Sequence, residues 1–102
     1  MFNKKCIDFL KDKFFINTAR GELVDEGYLI KKLKDNYFKG VAIDVIQNEQ
    51  SSNNNLNDLL EIADNNNLII TPHISGATYS SMHNTEMFIC EKLLNELKNN
   101  GL

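Results

Sequence analysis

Four polar residues of this 102-residue chain stand out by type and position: Arg20, Asp44, Glu49 and His73. Arg20 is the only arginine in a sequence that otherwise meets its need for positive charge with lysine. A guanidinium grips a carboxylate through two parallel hydrogen bonds, which an ammonium does not copy, so the exception marks a candidate site residue. His73 follows the only proline, Pro72, and an imidazole gives or takes a hydroxyl proton near neutral pH. A carboxylate beside it, such as Glu49, favours its charged form. The three types together suit redox chemistry at a carbonyl flanked by a carboxylate. The guanidinium holds the carboxylate and polarises the carbonyl, and the imidazole moves the hydroxyl proton as hydride moves. Taken singly, each has a plainer reading: Arg20 as a surface cation, His73 as a cap on the turn after Pro72, Glu49 as a solvated loop acid.

The elements that must position these residues are legible from apolar spacing. Ile7, Leu10 and Phe14 recur at helical intervals and predict a helix over Lys4 to Lys13, followed by a strand at Phe14-Phe15-Ile16. Asp25 reads as the N-cap of a second helix running to about Asn36, with Leu29, Ile30 and Leu33 on its apolar face. Gly40 opens a second strand, Val41-Ala42-Ile43-Asp44-Val45, apolar on both faces as if covered by helices on both sides. A polar loop from Gln47 to Asn55 precedes a helix built on Leu56, Leu59, Leu60 and Ala63, which Asn65-Asn66-Asn67 ends. Leu68-Ile69-Ile70-Thr71 is the third strand, stopped by Pro72. From about Thr78, Met87, Cys90, Leu93, Leu94 and Leu97 predict a long last helix whose Met and Phe residues belong to the core, with Gly101 just beyond its end. Alternating helices and strands imply an α/β fold with a parallel sheet of about three strands and right-handed crossovers. Ligands bind such sheets outside the carboxyl ends of the strands, where Arg20, Asp44, Glu49 and His73 all fall.

Composition removes several alternatives. The net charge of −3, with lysines interleaved among acids, offers no basic stripe for nucleic acid. Apolar runs are far shorter than the roughly 20 residues of a membrane helix, and charges near Met1 break any signal-peptide core, so a cytoplasmic protein without membrane association is expected. Cys6 and Cys90 read as buried free thiols, and no acid or cysteine cluster joins His73 and His83 at metal-ligand spacing.

Three stretches go further. Asn17-Thr18-Ala19-Arg20-Gly21-Glu22-Leu23-Val24-Asp25-Glu26, then Gly40-Val41-Ala42-Ile43-Asp44-Val45 with Glu49, then Ile70-Thr71-Pro72-His73-Ile74 with Gly76, closely resemble the D-isomer-specific 2-hydroxyacid dehydrogenases in order and spacing. The resemblance spans about residues 3 to 95. It implies a partial Rossmann-like fold in which residues 1–102 are the C-terminal part of a dinucleotide-binding domain, with the glycine-rich first half and the substrate domain absent. It implies NAD as cofactor, with NADP left open, and a 2-hydroxy or 2-oxo acid as substrate. Arg20 would bind the substrate carboxylate, His73 would be the acid/base and Glu49 its partner. Thr18, Ala19, Arg20, Asp44, His73 and Gly76 would line the cofactor pocket, Asp44 near the nicotinamide. Two departures stand beside it: Gln50 replaces the proline that usually follows the glutamate, and no Gly-x-Gly-x-x-Gly turn is present to cradle a pyrophosphate. The chain by itself is therefore expected to be inactive, and the complete enzyme to be a homodimer or to need a complementing N-terminal chain. The alternative is a non-catalytic remnant or interaction module that pairs an open sheet edge with another chain.

Overall fold

The computed structural model describes residues 1–76 and 78–101. Its elements follow in the order α1 (Lys4–Asp8), β1 (Phe14–Asn17), a 3-10 turn (Gly21–Leu23), α2 (Glu26–Lys34), β2 (Gly40–Ile43), α3 (Leu56–Asn65), β3 (Leu68–Ile70) and α4 (Tyr79–Asn99). The strands form one parallel sheet in the order β1-β2-β3, as the alternation of elements requires. Among the described residues, no helix is long and apolar enough to cross a membrane.

Two helix starts follow their caps. The Asp25 carboxylate accepts from the Tyr28 N–H and opens α2, and the Thr78 hydroxyl with Ser81 forms a reciprocal capping box at α4. The first helix is shorter than its apolar spacing predicts. After Asp8 the chain continues in turns, Asp12 takes a left-handed conformation (φ 57°), and Phe14 belongs to the strand. Phe2 pairs with Val24 outside the sheet, tying the N-terminal segment to the turn before α2.

Strand alternation divides the sheet into two faces. Phe15, Val41 and Leu68 stand in register on one, with Asn17, Ile43 and Ile70 beside them. This face carries the core, in which Ile7, Leu29, Leu33, Leu59 and Ile62 of the three short helices are buried against Val41, Ile43 and Leu68. The opposite face holds Phe14, Ile16 and Ile69, which are 65%, 69% and 66% exposed, with Gly40 and Ala42 between them. The expectation of helices on both faces is therefore corrected: among the described residues only one face is covered. The last helix brings a second correction. No residue of α4 is buried, and Met87, Phe88, Leu93 and Leu94 stand exposed along it. Cys90 is likewise exposed and Cys6 only half-buried, so neither is the buried thiol its position suggested. The periodicity of α4 is real, but it describes a face for which the described residues supply no partner.

Candidate active site

The carboxyl ends of the three strands deliver the four singled-out residues to one rim. Arg20 leaves β1 just before the 3-10 turn, Asp44 follows β2 directly, Glu49 lies five residues further on, and His73 follows β3. Arg20, Glu49 and His73 line one open cavity of about 480 Å³, together with Glu22 and Asn48. Glu49 and His73 also border a neighbouring cleft of about 640 Å³, whose apolar wall includes Leu56, Leu60, Ile70 and Pro72. The imidazole–carboxylate pair thus stands between a polar cavity and an apolar one.

His73 Nδ1 lies 2.6 Å from Glu49 Oε2. Glu49 ionises more readily than an ordinary glutamate. The hydrogen bond from His73 is the largest cause, burial opposes it, and the Ile46 N–H and the charges of His73 and Arg20 add to it. An ionised carboxylate only accepts, so Nδ1 must carry the hydrogen. Any proton exchange with a ligand therefore takes place at Nε2, on a ring that is 44% exposed.

His73 itself is left-handed (φ 54°), a conformation that costs a non-glycine residue on the order of 1–2 kcal/mol and persists only where its surroundings impose it. Asp44 supplies that constraint. Its Oδ1 accepts from the Thr71 hydroxyl at 2.5 Å and from the Ile74 N–H at 3.0 Å, and its Oδ2 accepts from the Ser75 N–H at 3.0 Å. Donors before and after the histidine thus converge on one buried carboxylate. These bonds, led by Thr71 and opposed by burial, hold the Asp44 carboxyl well below the usual carboxylate range.

The β1 side of the rim is built by Asn17. Its side chain accepts from the Ala19 N–H and donates to the Arg20 carbonyl, folding Thr18 and Ala19 into a tight bend. Thr18, Ala19 and Arg20 are exposed, and one guanidinium nitrogen of Arg20 donates to the Ala19 carbonyl at 2.7 Å. Among the described residues Arg20 has no salt-bridge partner. Gly76 lies in the bend after His73, and a Cβ there would meet nothing within 4 Å.

Several residues that sequence reasoning left without a role hold this rim. Gly21 is buried so tightly that a Cβ would stand 2.0 Å from the Ile46 carbonyl carbon and 2.3 Å from the Gln47 nitrogen. Glu26 is 3% exposed; it accepts the Gln47 N–H at 2.9 Å and the Asn55 side-chain amide at 2.8 Å. Gln47 in turn donates from its side chain to the Val24 carbonyl. Thr71 looked like the end of a strand and proves to be the hydroxyl that reaches Asp44. An acid in a helix's first turn and a lone glycine are common enough that their types alone did not single them out.

Comparison with known proteins decides the family. The sequence profile described as D-isomer specific 2-hydroxyacid dehydrogenase, NAD binding domain, matches residues 1–75. The chain belongs to this family. Over 90 residues, covering 80% of this chain and 28% of the relative, it is 38% identical to the glycerate dehydrogenase of Methylorubrum extorquens. Among solved structures, the D-lactate dehydrogenase of Aquifex aeolicus, complexed with NAD and lactic acid, superimposes with a TM-score of 0.70 at 31% identity, covering 97% of this chain and 33% of that one. The NAD-complexed D-isomer specific 2-hydroxyacid dehydrogenase of Lactobacillus delbrueckii gives a TM-score of 0.60 at 32% identity, over 83% of this chain and 28% of that one. The chain thus spans about a quarter to a third of the length of these relatives, and the Rossmann-like α/β arrangement expected from the sequence is the one they share.

Proposed function

We propose that this chain carries the catalytic rim of an NAD-dependent dehydrogenase that interconverts a D-2-hydroxy acid and its 2-oxo acid. The observation that carries the proposal is the 2.6 Å His73–Glu49 pair facing the same cavity as the lone arginine. In this reading Arg20 turns its guanidinium from the Ala19 carbonyl to the substrate carboxylate, a stronger, charge-assisted partner, and polarises the adjoining carbonyl. His73, held by Glu49 at Nδ1, presents Nε2 to the hydroxyl oxygen. It takes the proton when the alcohol is oxidised and returns it when the oxo acid is reduced. Glu49 stabilises the charged imidazole and fixes its orientation, and Asp44 fixes the backbone on either side of it.

The residues present fit one end of a dinucleotide. The bend at Thr18 and Ala19 and the open space at Gly76 lie at the strand ends where such a group crosses a parallel sheet. Bound NAD would supply the hydride acceptor. The pyrophosphate seat, a glycine turn at a helix N-terminus, is not encoded in these residues, so the chain alone is expected neither to hold the cofactor tightly nor to turn over. Asp44 makes its contacts within the chain through both carboxylate oxygens, which supports a role in shaping the pocket alongside the nicotinamide contact that the family resemblance suggests.

The test grafts residues 1–75 in place of the matching segment of a complete family enzyme and follows nicotinamide absorbance with D- and L-2-hydroxy acids. Turnover of D-acids, abolished by His73→Ala with cofactor affinity retained, is the expected result. A well-folded graft that binds cofactor but turns over no 2-hydroxy or 2-oxo acid refutes the proposal. A second reading, a module that pairs with another chain, is supported by the sheet face left uncovered among the described residues and by β1 at the sheet edge.

A further inference from the structure

Among the described residues, Glu26 is the one buried carboxylate for which the proposed mechanism has no use, and its partners lie in the segment that carries Glu49. Three consecutive backbone N–H groups there each donate to a carboxylate: Ile46 to Glu49 Oε1 at 3.2 Å, Gln47 to Glu26 Oε2 at 2.9 Å and Asn48 to Glu22 Oε1 at 3.1 Å. Two of those carboxylates come from the segment that follows Arg20. The third is the partner of His73. Asn48 is left-handed (φ 54°), and Gly21 lets the two segments meet backbone to backbone. Glu26 alone of the three is buried, and its second oxygen takes the side chain of Asn55, the residue before α3.

We infer that Glu26 is a positioning residue that fixes the Gln47–Glu49 loop, so that Glu49 keeps its bond to His73 and both face Arg20 across one cavity. The inference rests on the proposed function only for its catalytic meaning, because the geometry exists without substrate or cofactor. If Glu26 is removed, the Gln47 N–H loses its acceptor in a nearly dry site and the loop must move to find water. Glu49 then loses its fixed approach to the imidazole. The charged and titratable groups around Glu49 are His73 from the segment after β3 and Arg20 and Glu22 from the segment after β1, with Asp44 bordering the adjoining cleft.

The experiment reads Glu49 itself in the isolated chain, by carboxyl-carbon NMR across an acid titration. In the wild type its midpoint lies below the ordinary glutamate value, because His73 and the Ile46 N–H stabilise the ionised form. Glu26→Leu should move that midpoint up toward the ordinary value. Glu26→Gln should leave it near the wild-type one, since its amide oxygen still accepts from Gln47 and Asn55 can turn its amide to accept the new NH2. Should Glu26→Leu fail to fold, Glu26→Asp serves: it keeps the charge but falls one methylene short of Gln47, and should give an intermediate rise. A folded Glu26→Leu or Glu26→Asp with an unmoved Glu49 midpoint overturns the inference, as does a Gln variant that behaves like Leu. Neither outcome depends on whether the grafted enzyme of the preceding section turns over, so the two proposals fail separately.

Discussion

Replacing Gly21 by alanine tests whether the two halves of the rim form one rigid unit. The glycine is needed for space, since its φ is not among the positive ones. Its Cβ would lie 2.0 Å from a backbone carbon and 2.3 Å from a backbone nitrogen and oxygen of Ile46 and Gln47. Reaching ordinary contact requires the two backbones to part by about 1.4 Å, and no flexible side-chain tip is available to absorb it. Overpacking of this kind costs about 1–3 kcal/mol, and a backbone obstacle belongs at the upper end. The same movement stretches the Gln47–Glu26 and Asn48–Glu22 bonds, each worth on the order of 1 kcal/mol net. The expected loss is therefore about 3–4 kcal/mol, a large share of the roughly 5–15 kcal/mol by which such domains are stable.

Urea unfolding followed by far-UV circular dichroism measures it. With a slope of about 1–2 kcal/mol per molar for a domain of this size, the midpoint should fall by roughly 1.5–4 M. If Gly21→Ala unfolds within about 0.3 M of the wild type, the close approach of the two segments is not the constraint described here, and the rigid-rim reasoning fails with it.

Three further outcomes follow from the site and the sheet. In the grafted enzyme, Arg20→Lys should lose most turnover despite keeping its charge, because an ammonium lacks the two-point fork; near-normal kinetics would remove Arg20 from the carboxylate site. Asp44 titrates lower folded than unfolded, so its stabilisation is present above the ordinary aspartate value of about 3.9 and is lost as pH falls below it. The deficit of Asp44→Asn in urea should accordingly shrink from pH 7 toward pH 3, and a pH-independent deficit would contradict the assignment. The isolated chain should bind NADH no more tightly than millimolar by calorimetry, and micromolar binding would show that a cofactor seat forms without the glycine turn.

The order of elements was legible because each carries its own period: Leu29, Ile30 and Leu33 on α2, Leu56, Leu59, Leu60 and Ala63 on α3, and short apolar runs for the strands. The same signal misleads where a period continues without a partner. Leu10 and Phe14 fit a helix that the left-handed Asp12 forecloses, and Met87, Leu93 and Leu97 form a stripe whose burial depends on a surface outside the described residues. At the rim, Arg20 and His73 were legible because their types are rare here. The supports are less visible because theirs are common. A first-turn acid such as Glu26 already has a local explanation in the helix dipole, and only the fold reveals that its carboxylate reaches a loop 21 residues away.

The supports of the rim lie in the strand-end segments and on the covered side of the sheet. Asn17, Gly21, Glu22, Glu26, Asp44 and Thr71 hold the segments bearing Arg20, Glu49 and His73 through contacts that stop at Ser75. None of these contacts involves Phe14, Ile16 or Ile69, or any residue of α4. Covering those apolar surfaces would add stability at about 25 cal/mol per square ångström, but it is not what sets the distance between His73 and Glu49. A partner covering the face left bare among the described residues would therefore act on the lifetime and association state of the fold, while the hydrogen bonds among three loops govern the geometry of the His73–Glu49 pair.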